Sequence, residues 1–351
     1  MDKEGAPANG ERRQNGLNLQ RQILAIAVTL TVLALGSSSL SAQSCQISSD
    51  LDEATQSAIA TAGQRYFDMA SKGDAAALRR NANASLLADF SGIEAAVKDN
   101  QQELAEAKAT VKSVFLLTAE GTTPLPRAEF YCGVFGGNGQ TPGSAVFYLS
   151  NLPPGKYAVV VLEASSPKAK TNFSVILQQS GPDWKLAGLY IKPAQVSGHD
   201  SAWFAARARE YKGKGQAHNA WWFYQEASSL ASPVTFMSTM ATDRLYDEFQ
   251  TSQPADLPGG GKSADLVVGN ITYKLIAIFP EAVGDDLDLI VKYESADAAN
   301  SNLAYPANVA VIKALVTKYP EVREAFAGVV ARAQDNSGHD YGTLLLMKDI
   351  K

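Results

Sequence analysis

The amino-acid sequence predicts an α+β protein, because helical patterns and strand patterns occupy separate parts of the chain. A helical stretch comes first, over roughly residues 50–108, and a long run of strands follows it. Helices followed by successive strands indicate α+β, whereas regular alternation would indicate a parallel α/β sheet. The predicted strands are rich in β-branched and aromatic residues and are separated by turns that contain Gly and Pro. They cover residues 111–117, 128–135, 143–150, 156–164, 171–179 and 184–192.

The helical stretch carries start and stop signals for separate helices. Asp50 and Glu53 have the spacing of a capping box, and Gly73 follows the last turn as a C-terminal cap. Apolar residues recur at helical intervals between them. Asp74 predicts the start of a second helix, and a third helix is predicted over about 93–108.

Two sets of residues in this region carry a family resemblance. One set lies at the corner between the first two helices (Tyr66-Phe67, Gly73-Asp74-Ala75 and Leu78), and the other is WKLAGLY at 184–190 in the last strand. With these residues, the segment of about 52–195 resembles the nuclear-transport-factor-2-like (NTF2-like) domain, a fold shared with the SnoaL-type cyclases. The resemblance implies a cone in which helices lie against a curved antiparallel sheet, with an aromatic-lined cavity between them.

The resemblance also implies candidate residues for that pocket. Enzymes of this fold commonly use a His–Asp pair there, but this chain contains no histidine before His199. A carboxylate could act as the base instead if burial raised its pKa towards neutrality. Ligand binding without chemistry fits the residues better, so no catalytic residue is assigned. The predicted pocket residues are Tyr66, Asp89, Tyr131, Tyr148, Glu163 and Tyr190.

A helical hairpin is predicted over about 201–233, within a helical segment at 197–250. Small and aromatic residues recur around Gly215 at the intervals of a tetratricopeptide (TPR) unit, in which small residues let two antiparallel helices approach. They are Tyr211, Ala220, Tyr224, Ala227 and Leu230. The segment resembles a single TPR unit, which lacks the neighbours that form a peptide-binding groove. A structural bracket is therefore favoured over a partner-binding surface.

A Pro- and Gly-rich linker is predicted at 251–265, and a small C-terminal α/β domain at 266–351, for which no family resemblance is apparent. Within the linker, GGGKS is similar to part of a phosphate-binding loop, but Asp256 stands where that motif needs a glycine. Nucleotide binding is therefore not predicted. The elements predicted for the domain are strands at about 266–279 and 287–294, helices at about 305–318 and 320–334, and a last strand at 341–348.

The first 42 residues are predicted to be a secretory signal peptide. Arginines precede an apolar run at 23–35, and small residues follow that run. The run is shorter than the roughly 20 residues that span a membrane. Cleavage after Ala42 would leave 43–51 as an N-terminal tail before a domain at 52–196. The protein is therefore expected to be extracytoplasmic, either periplasmic or secreted.

Export determines how the two cysteines, Cys45 and Cys132, are interpreted. In an oxidising compartment they could form a disulfide. Cys45 could instead carry a lipid anchor as the mature N-terminus, but Ala42-Gln43-Ser44 matches a lipoprotein signal poorly, so this is not favoured. Two unpaired thiols are the third alternative that the sequence leaves open.

Charge and metal-ligand spacing exclude several classes of partner. The formal net charge of −5 is spread along the chain, so no nucleic-acid footprint and no polybasic membrane patch is expected. Asp285, Asp286 and Asp288 lack the spacing of a calcium-binding loop. No metal and no cofactor is predicted.

The tetrapeptide Ser-Gly-His-Asp occurs twice, at 197–200 and 337–340, and contains two of the three histidines. The first copy is expected to open a helix, with Asp200 or Ser201 as its cap. The second is expected to close a helix that ends near Gln334. Because the flanking sequences share nothing, two separate turns are predicted rather than one joint site.

Together these observations favour an exported cell-envelope protein that binds a small ligand or a protein partner without catalysing a reaction. The alternative is a cofactor-independent cyclase, isomerase or hydrolase that uses a carboxylate in the cone pocket. A third possibility is an assembly subunit that forms a homodimer through a sheet face.

Overall fold

The computed structural model describes residues 43–133, 139 and 141–351. The predicted signal peptide lies outside the described residues. Helices and largely antiparallel sheets occupy separate stretches of the chain, so the predicted α+β class is confirmed. Within the described ranges, no helix is both long enough and apolar enough to cross a membrane.

Five helices follow the first strand of the described chain. The first begins later than the predicted capping box, because the carboxylate of Asp52, not of Asp50, accepts the Thr55 N–H at 2.8 Å. Asp74 caps the second helix through the Ala77 N–H. The third predicted helix is two shorter ones that meet at Asn100. The five are α1 (Glu53–Ser71), α2 (Ala75–Arg80), α3 (Ala84–Leu87), α4 (Ser91–Asp99) and α5 (Gln101–Ala105).

A five-stranded antiparallel sheet lies against these helices, and all six strands predicted between residues 111 and 192 are present in the structure. Its strand order is β1-β2-β5-β6-β7. The segment predicted as a tail contributes the edge strand β1, which pairs with β2. The strands are β1 (Gln43–Ile47), β2 (Lys108–Ala119), β5 (Gly155–Ser165), β6 (Lys170–Ser180) and β7 (Asp183–Pro193).

This sheet has a hydrophobic core on each face. On one face α1 approaches β5 closely, because Gly63 has no side chain and a Cβ there would lie 2.7 Å from Val160 Cγ1. On the other face a three-stranded sheet, ordered β10-β4-β3, packs over Phe115, Tyr157 and other buried side chains. Its strands are β3 (Leu125–Cys132), β4 (Ala145–Leu152) and β10 (Met237–Ser238).

A disulfide joins Cys45 on β1 to Cys132 on β3. It links the edge of the larger sheet to the edge of the smaller one. The opposite margin, where β7 and β10 lie, has no such crosslink among the described residues. The two sheets are therefore covalently held together along one margin only.

A helical hairpin follows a short β-ladder of β8 (Gln195–Val196) and β9 (His199–Asp200). Gly215 makes the turn between its helices with a φ of +74°, a conformation that favours glycine. A third helix packs against the second of the pair. The helices are α6 (Ser201–Gly213), α7 (Ala217–Ala231) and α8 (Met240–Gln250).

The C-terminal elements form a second five-stranded sheet in the order β11-β12-β13-β14-β15. Strands β13 and β14 are parallel, and the crossover between them contains α9. A short helix, α10, follows it. The elements are β11 (Ala264–Val268), β12 (Ile271–Val283), β13 (Asp286–Glu294), α9 (Ser301–Lys318), α10 (Val322–Ala325), β14 (Gly328–Gln334) and β15 (Asp340–Leu346).

Two sequence predictions for this region are wrong. The strand expected at 266–279 is two strands, because Gly269 turns the chain with a φ of +59°. The helix expected at 320–334 is confined to Val322–Ala325, and Gly328–Gln334 is strand β14, whose alternate residues are buried where it pairs with β13. The second Ser-Gly-His-Asp copy therefore turns the chain between two strands and closes no helix.

The hairpin and the C-terminal sheet share one hydrophobic core. Phe204 and Phe223 of the hairpin belong to the same buried cluster as Leu289 of β13 and Leu315 of α9. Leu257, within the Pro- and Gly-rich segment predicted as a linker, is also part of this cluster.

Candidate functional site

A cleft of about 400 Å³ lies at the margin of the two N-terminal sheets that the disulfide does not hold. It opens between β4, β7 and the start of α3, and the chain that leads into β10 forms one side. Its lining residues are Asn83, Ser85, Tyr148, Leu149, Ser150, Asn151, Leu152, Pro153, Tyr157, Ile176, Ala187, Tyr190 and Phe236.

Three aromatic rings give the cleft an apolar wall. Tyr190 and Phe236 meet edge to face with their ring centroids 5.1 Å apart. The Tyr190 ring lies over Gly188. A Cβ at residue 188 would come within 3.1 Å of that ring, so the glycine leaves room for the ring in this position. Tyr148 is 40% exposed and Tyr190 36%, so both offer ring surface to a bound molecule.

A chain of hydrogen bonds forms the polar floor. The Asn83 amide donates to Gln178 Oε1 at 2.7 Å, and the Gln178 amide donates to the Tyr157 hydroxyl at 3.1 Å. That hydroxyl donates to the Pro153 carbonyl at 2.9 Å. Because each group has a partner, the floor holds the surrounding lining residues in defined positions.

The electrostatics of the cleft are those of a neutral site. None of its described lining residues is an acid, a lysine, an arginine or a histidine. Burial raises the pKa values of Tyr157 and Tyr190, so their phenols remain protonated at neutral pH. The Arg127 guanidinium, which does not line the cleft, lies 5.3 Å from the centre of the Tyr148 ring. This arrangement can bind and orient a molecule through its aromatic rings and its hydrogen-bonding groups.

Two of the six predicted pocket residues, Tyr148 and Tyr190, come together in this cleft. Tyr66 does not. It is fully buried in the core between helices and sheet, where its hydroxyl donates to the Trp184 carbonyl at 2.8 Å and lies 3.1 Å from the Asn81 carbonyl. Its position is structural, since it ties α1 to β7.

The other three predicted residues lie outside the cleft. Asp89 is exposed and accepts a hydrogen bond from the Ser91 hydroxyl at 2.7 Å. Glu163 lies 3.8 Å from Lys112 on the neighbouring strand. Tyr131 is 56% exposed and donates to Glu129.

The resemblance placed the pocket between helices and sheet, and in the structure that space is filled by side chains. Phe67 of α1 and Phe173 of β6 meet edge to face at 5.3 Å, and both are buried. Leu78 of α2 is fully buried in the same cluster. The cleft therefore lies on the opposite face of the sheet from the pocket that was expected.

Sequence reasoning missed Asn83, Tyr157, Gln178 and Phe236. Asn83 could have been identified as a cap, because its side chain accepts the Leu86 N–H at the start of α3. The only signal for Tyr157 was the Pro-Pro-Gly turn before β5. Phe236 follows the hairpin, and no pattern in the sequence connects it to β7.

A larger cleft, of about 850 Å³, lies beside the Gly-rich segment. Asp256 at its edge is already occupied, because it accepts hydrogen bonds from His218 at 3.0 Å and from the Tyr319 hydroxyl at 3.0 Å. These hydrogen bonds lower the pKa of Asp256 despite its burial. His218 also contacts Glu321 at 2.7 Å, so this cluster ties the segment at Asp256 to the hairpin and to α10.

The two repeated histidines have separate surroundings. His199 stacks on Trp203 at 3.6 Å, and Asp200 caps α6 through the Trp203 N–H, as predicted for the first copy. His339 is bonded to Asp335 at 2.8 Å. Among the described residues there is no group of three or more His, Cys, Asp or Glu that could hold a metal ion.

Comparison with known proteins yields no relative. No protein family, no curated protein and no solved structure matches the chain. Functional inference therefore rests on the geometry of the cleft and on the residues that line it.

Proposed function

We propose that this chain is a non-catalytic, extracytoplasmic binding protein that holds a small neutral ligand in the cleft between its two N-terminal sheets. The observation that carries the proposal is the combination of an aromatic wall with an uncharged, hydrogen-bonded floor. Pockets that are mainly apolar, with a few fixed polar groups, are the usual form of small-molecule sites.

The lining chemistry favours a ligand with an apolar face and several hydroxyl or amide groups, such as a short neutral saccharide. Such a molecule can lay its C–H face on Tyr148 and Tyr190 while its hydroxyls bond to side chains of the cleft. Neither tyrosine hydroxyl has a hydrogen-bond partner among the described residues, so both can serve a ligand. Asn151, at a φ of +51°, lies near the end of β4.

For the fold, the proposal is an NTF2-like cone followed by a TPR-like helical hairpin. Its support is the packing of α1 to α5 on one face of an antiparallel sheet and the turn of the helical pair at Gly215. In this proposal the hairpin helps to form the binding site, because the chain that leaves α7 brings Phe236 to Tyr190.

Location outside the cytoplasm is supported by the Cys45–Cys132 disulfide, since such bonds persist mainly in oxidising compartments. With Cys45 in that bond, its thiol is not free to carry the lipid anchor that the sequence left as an alternative. The predicted signal peptide is the route of export in this proposal.

The alternative function, a cofactor-independent enzyme, has less support. The two candidate carboxylates, Asp89 and Glu163, lie outside the cleft. Each also has a local partner, Ser91 for the first and Lys112 for the second. A catalytic carboxylate would need to face the bound molecule at hydrogen-bonding distance.

The proposal is tested with a panel of neutral di- and trisaccharides, including maltotriose and chitotriose, by isothermal titration calorimetry. We expect at least one to bind with a dissociation constant of about 1 mM or below. Tyr190→Ala and Tyr148→Ala should each weaken that binding at least about tenfold, because each removes part of the stacking surface.

Tyr131→Ala is the matched control, because Tyr131 is an exposed tyrosine of the same small sheet that lies outside the cleft. The Tyr131→Ala variant should bind the saccharide with the same affinity as the unmodified chain. If no saccharide of the panel binds, or if the Tyr131 variant loses binding as fully as the Tyr190 variant, the proposed site is wrong.

A further inference from the structure

The C-terminal sheet is covered by the hydrophobic core on one face. Leu289 and Val291 of β13 and Val329 of β14 point into the core that contains α9 and the hairpin. Residues between these positions point to the opposite side, since side chains alternate along a strand. We call that side the outer face. Its described residues are absent from the core cluster.

An unbroken apolar row crosses the outer face. Phe279 is paired with Ile290, Ile290 with Val330, and Val330 with Leu344. Residues paired in this way across neighbouring strands lie side by side on the same face. Ile290, in the middle of the row, is only 2% exposed, whereas Leu344 at the end of the row is 41% exposed, so the accessible apolar surface of the row is greatest at Leu344.

A basic row lies on one side of the apolar row. Lys292 is paired with Arg332 on the next strand. The Lys292 ammonium lies 5.5 Å from the centre of the Phe279 ring, and Arg332 is bonded to Asp340 at 3.0 Å. The charge of Arg332 on β14 is balanced by Asp340, whereas Lys292 on β13 forms no ion pair among the described residues and places a positive charge beside the row.

An acidic row lies on the other side. Glu281 is paired with Asp288, and Asp286 lies two residues before Asp288 on the same face. Asp288 is 1% exposed, so Glu281 and Asp286 carry the accessible negative charge of this row. Glu281 and Asp286 are exposed and form no ion pair with any residue that the structure describes. Across its width, the outer face thus carries an acidic row, the apolar row and a basic row, in that order.

We propose that a second copy of this chain docks on the outer face, with a twofold axis passing through the apolar row. A half-turn about that axis brings the basic row of each copy over the acidic row of the other, so Lys292 faces Glu281 twice. A twofold contact requires a surface that is complementary to itself. The outer face meets this requirement, because its acidic and basic rows lie on opposite sides of the apolar row. Two sheets packed face to face at about 10 Å would bury Leu344 and Val330 of both copies.

The proposed interface is independent of the ligand cleft. Leu344 and Lys292 belong to the C-terminal sheet, whereas the cleft residues belong to the N-terminal sheets and to the chain before β10. Dimerisation and ligand binding can therefore succeed or fail separately in experiments.

The first test is sedimentation velocity on the intact chain from about 1 to about 200 µM. The unmodified chain should shift from monomer to dimer with concentration. Leu344→Asp should weaken dimerisation at least about tenfold, because it places two carboxylates, one from each copy, in the apolar part of the contact. Tyr246→Asp is the control, since Tyr246 is an exposed large side chain on α8 and away from the outer face.

The second test separates a specific twofold contact from general adhesion. Lys292→Glu should weaken the dimer by placing like charges together, and adding Glu281→Lys on the same chain should recover most of the loss. A chain that stays monomeric over the whole range overturns the proposal. So does a Leu344→Asp variant that dimerises normally, or a double variant as weak as Lys292→Glu alone.

Discussion

The two halves of the described chain cover their main sheets in different ways. In Gln43–Pro193 the five-stranded sheet has helices on one face and a second sheet on the other, so it carries two separate cores. In Ser201–Ile350 the hairpin and α9 share a single core on one face of the sheet. The first half contains a disulfide, whereas the second contains no cysteine.

The difference connects sheet packing to function. A sheet covered on both faces has a seam between its layers, and the cleft forms where that seam is not crosslinked. A sheet covered on one face leaves the other for a partner. In our proposals, the N-terminal half binds a small ligand and the C-terminal half binds a second copy of the chain.

The largest effect is expected in the shared C-terminal core. Phe223→Ala removes a ring that is 1% exposed and that lies 5.0 Å from Tyr211 and 5.8 Å from Phe326. The free energy of unfolding should fall by about 3–5 kcal/mol. Urea denaturation measures this change. Hydrogen exchange should show the backbone amides of the hairpin and of the C-terminal sheet losing protection together, because the two share one core.

Tyr246→Ala provides the control, since Tyr246 is 55% exposed on α8 and its loss should change stability by no more than about 0.5 kcal/mol. If Phe223→Ala deprotects the hairpin while the C-terminal sheet keeps full protection, the shared core does not couple the two.

A somewhat smaller effect is expected from breaking the crosslink of the N-terminal half. The disulfide joins cysteines 87 residues apart in the sequence, so its loss frees a long loop in the unfolded state. The Cys45→Ser, Cys132→Ser double variant should lose about 2–4 kcal/mol of stability. Hydrogen exchange should show the loss as faster exchange of the backbone amides of β1 and β3.

A reducing agent should have the same effect on the unmodified chain and no effect on the double variant, which serves as its control. Equal loss of protection in β13 and β14 would contradict the separation of the two halves and show that they unfold as one.

The smallest effect is expected at the contact between the halves. Lys192 of β7 donates to the carbonyls of Ser229, at 3.1 Å, and Ser232, at 2.9 Å, near the end of α7. Burial raises the pKa of the neighbouring Glu226 carboxyl from 4.5 to about 7, although the charge of Lys192 opposes the shift. Burial also lowers the pKa of Lys192.

The direction of the pH dependence follows from this shift. The folded protein binds the Glu226 proton more tightly than the unfolded chain, so the resulting stabilisation is complete below about pH 4.5 and is lost as the pH rises through about 7. The loss is at most about 3 kcal/mol. Urea denaturation between pH 5 and about 8 should show it. Glu226→Gln should flatten the profile, whereas Glu120→Gln, at an exposed site, should leave it unchanged.

The strands of the N-terminal half could be predicted because their signals are local. Alternating β-branched and aromatic residues between turns such as Pro153-Pro154-Gly155 mark a strand regardless of what it packs against. The Asp74 and Asp200 caps were equally local, because each bonds an N–H three residues ahead. The fold class follows from such patterns.

Strand β14 could not be predicted in this way. GVVARAQ is rich in helix-compatible residues and follows α9 closely, so its local pattern suggested a helix. In the structure, Val329 and Ala331 pair with Leu289 and Val291 of β13, which are distant in the sequence. Tertiary pairing outweighed the local preference.

The candidate site was predictable only in part. Tyr148 and Tyr190 were identified as aromatic residues of the sheet, but their cleft also needs Asn83, Gln178 and Phe236. Those residues come from a cap, a strand and the chain beyond the hairpin. No local pattern relates positions that meet only when two sheets stack.

The sequence by itself determined the α+β class, six strands of the N-terminal half and the Asp74 and Asp200 helix caps, because each depends on contacts between near neighbours. The tertiary structure alone decided that Tyr66 is buried in a core while Tyr190 lines a cleft, and that the hairpin shares its core with the C-terminal sheet. Those outcomes depend on which faces meet, and burial of apolar surface between distant segments decides that.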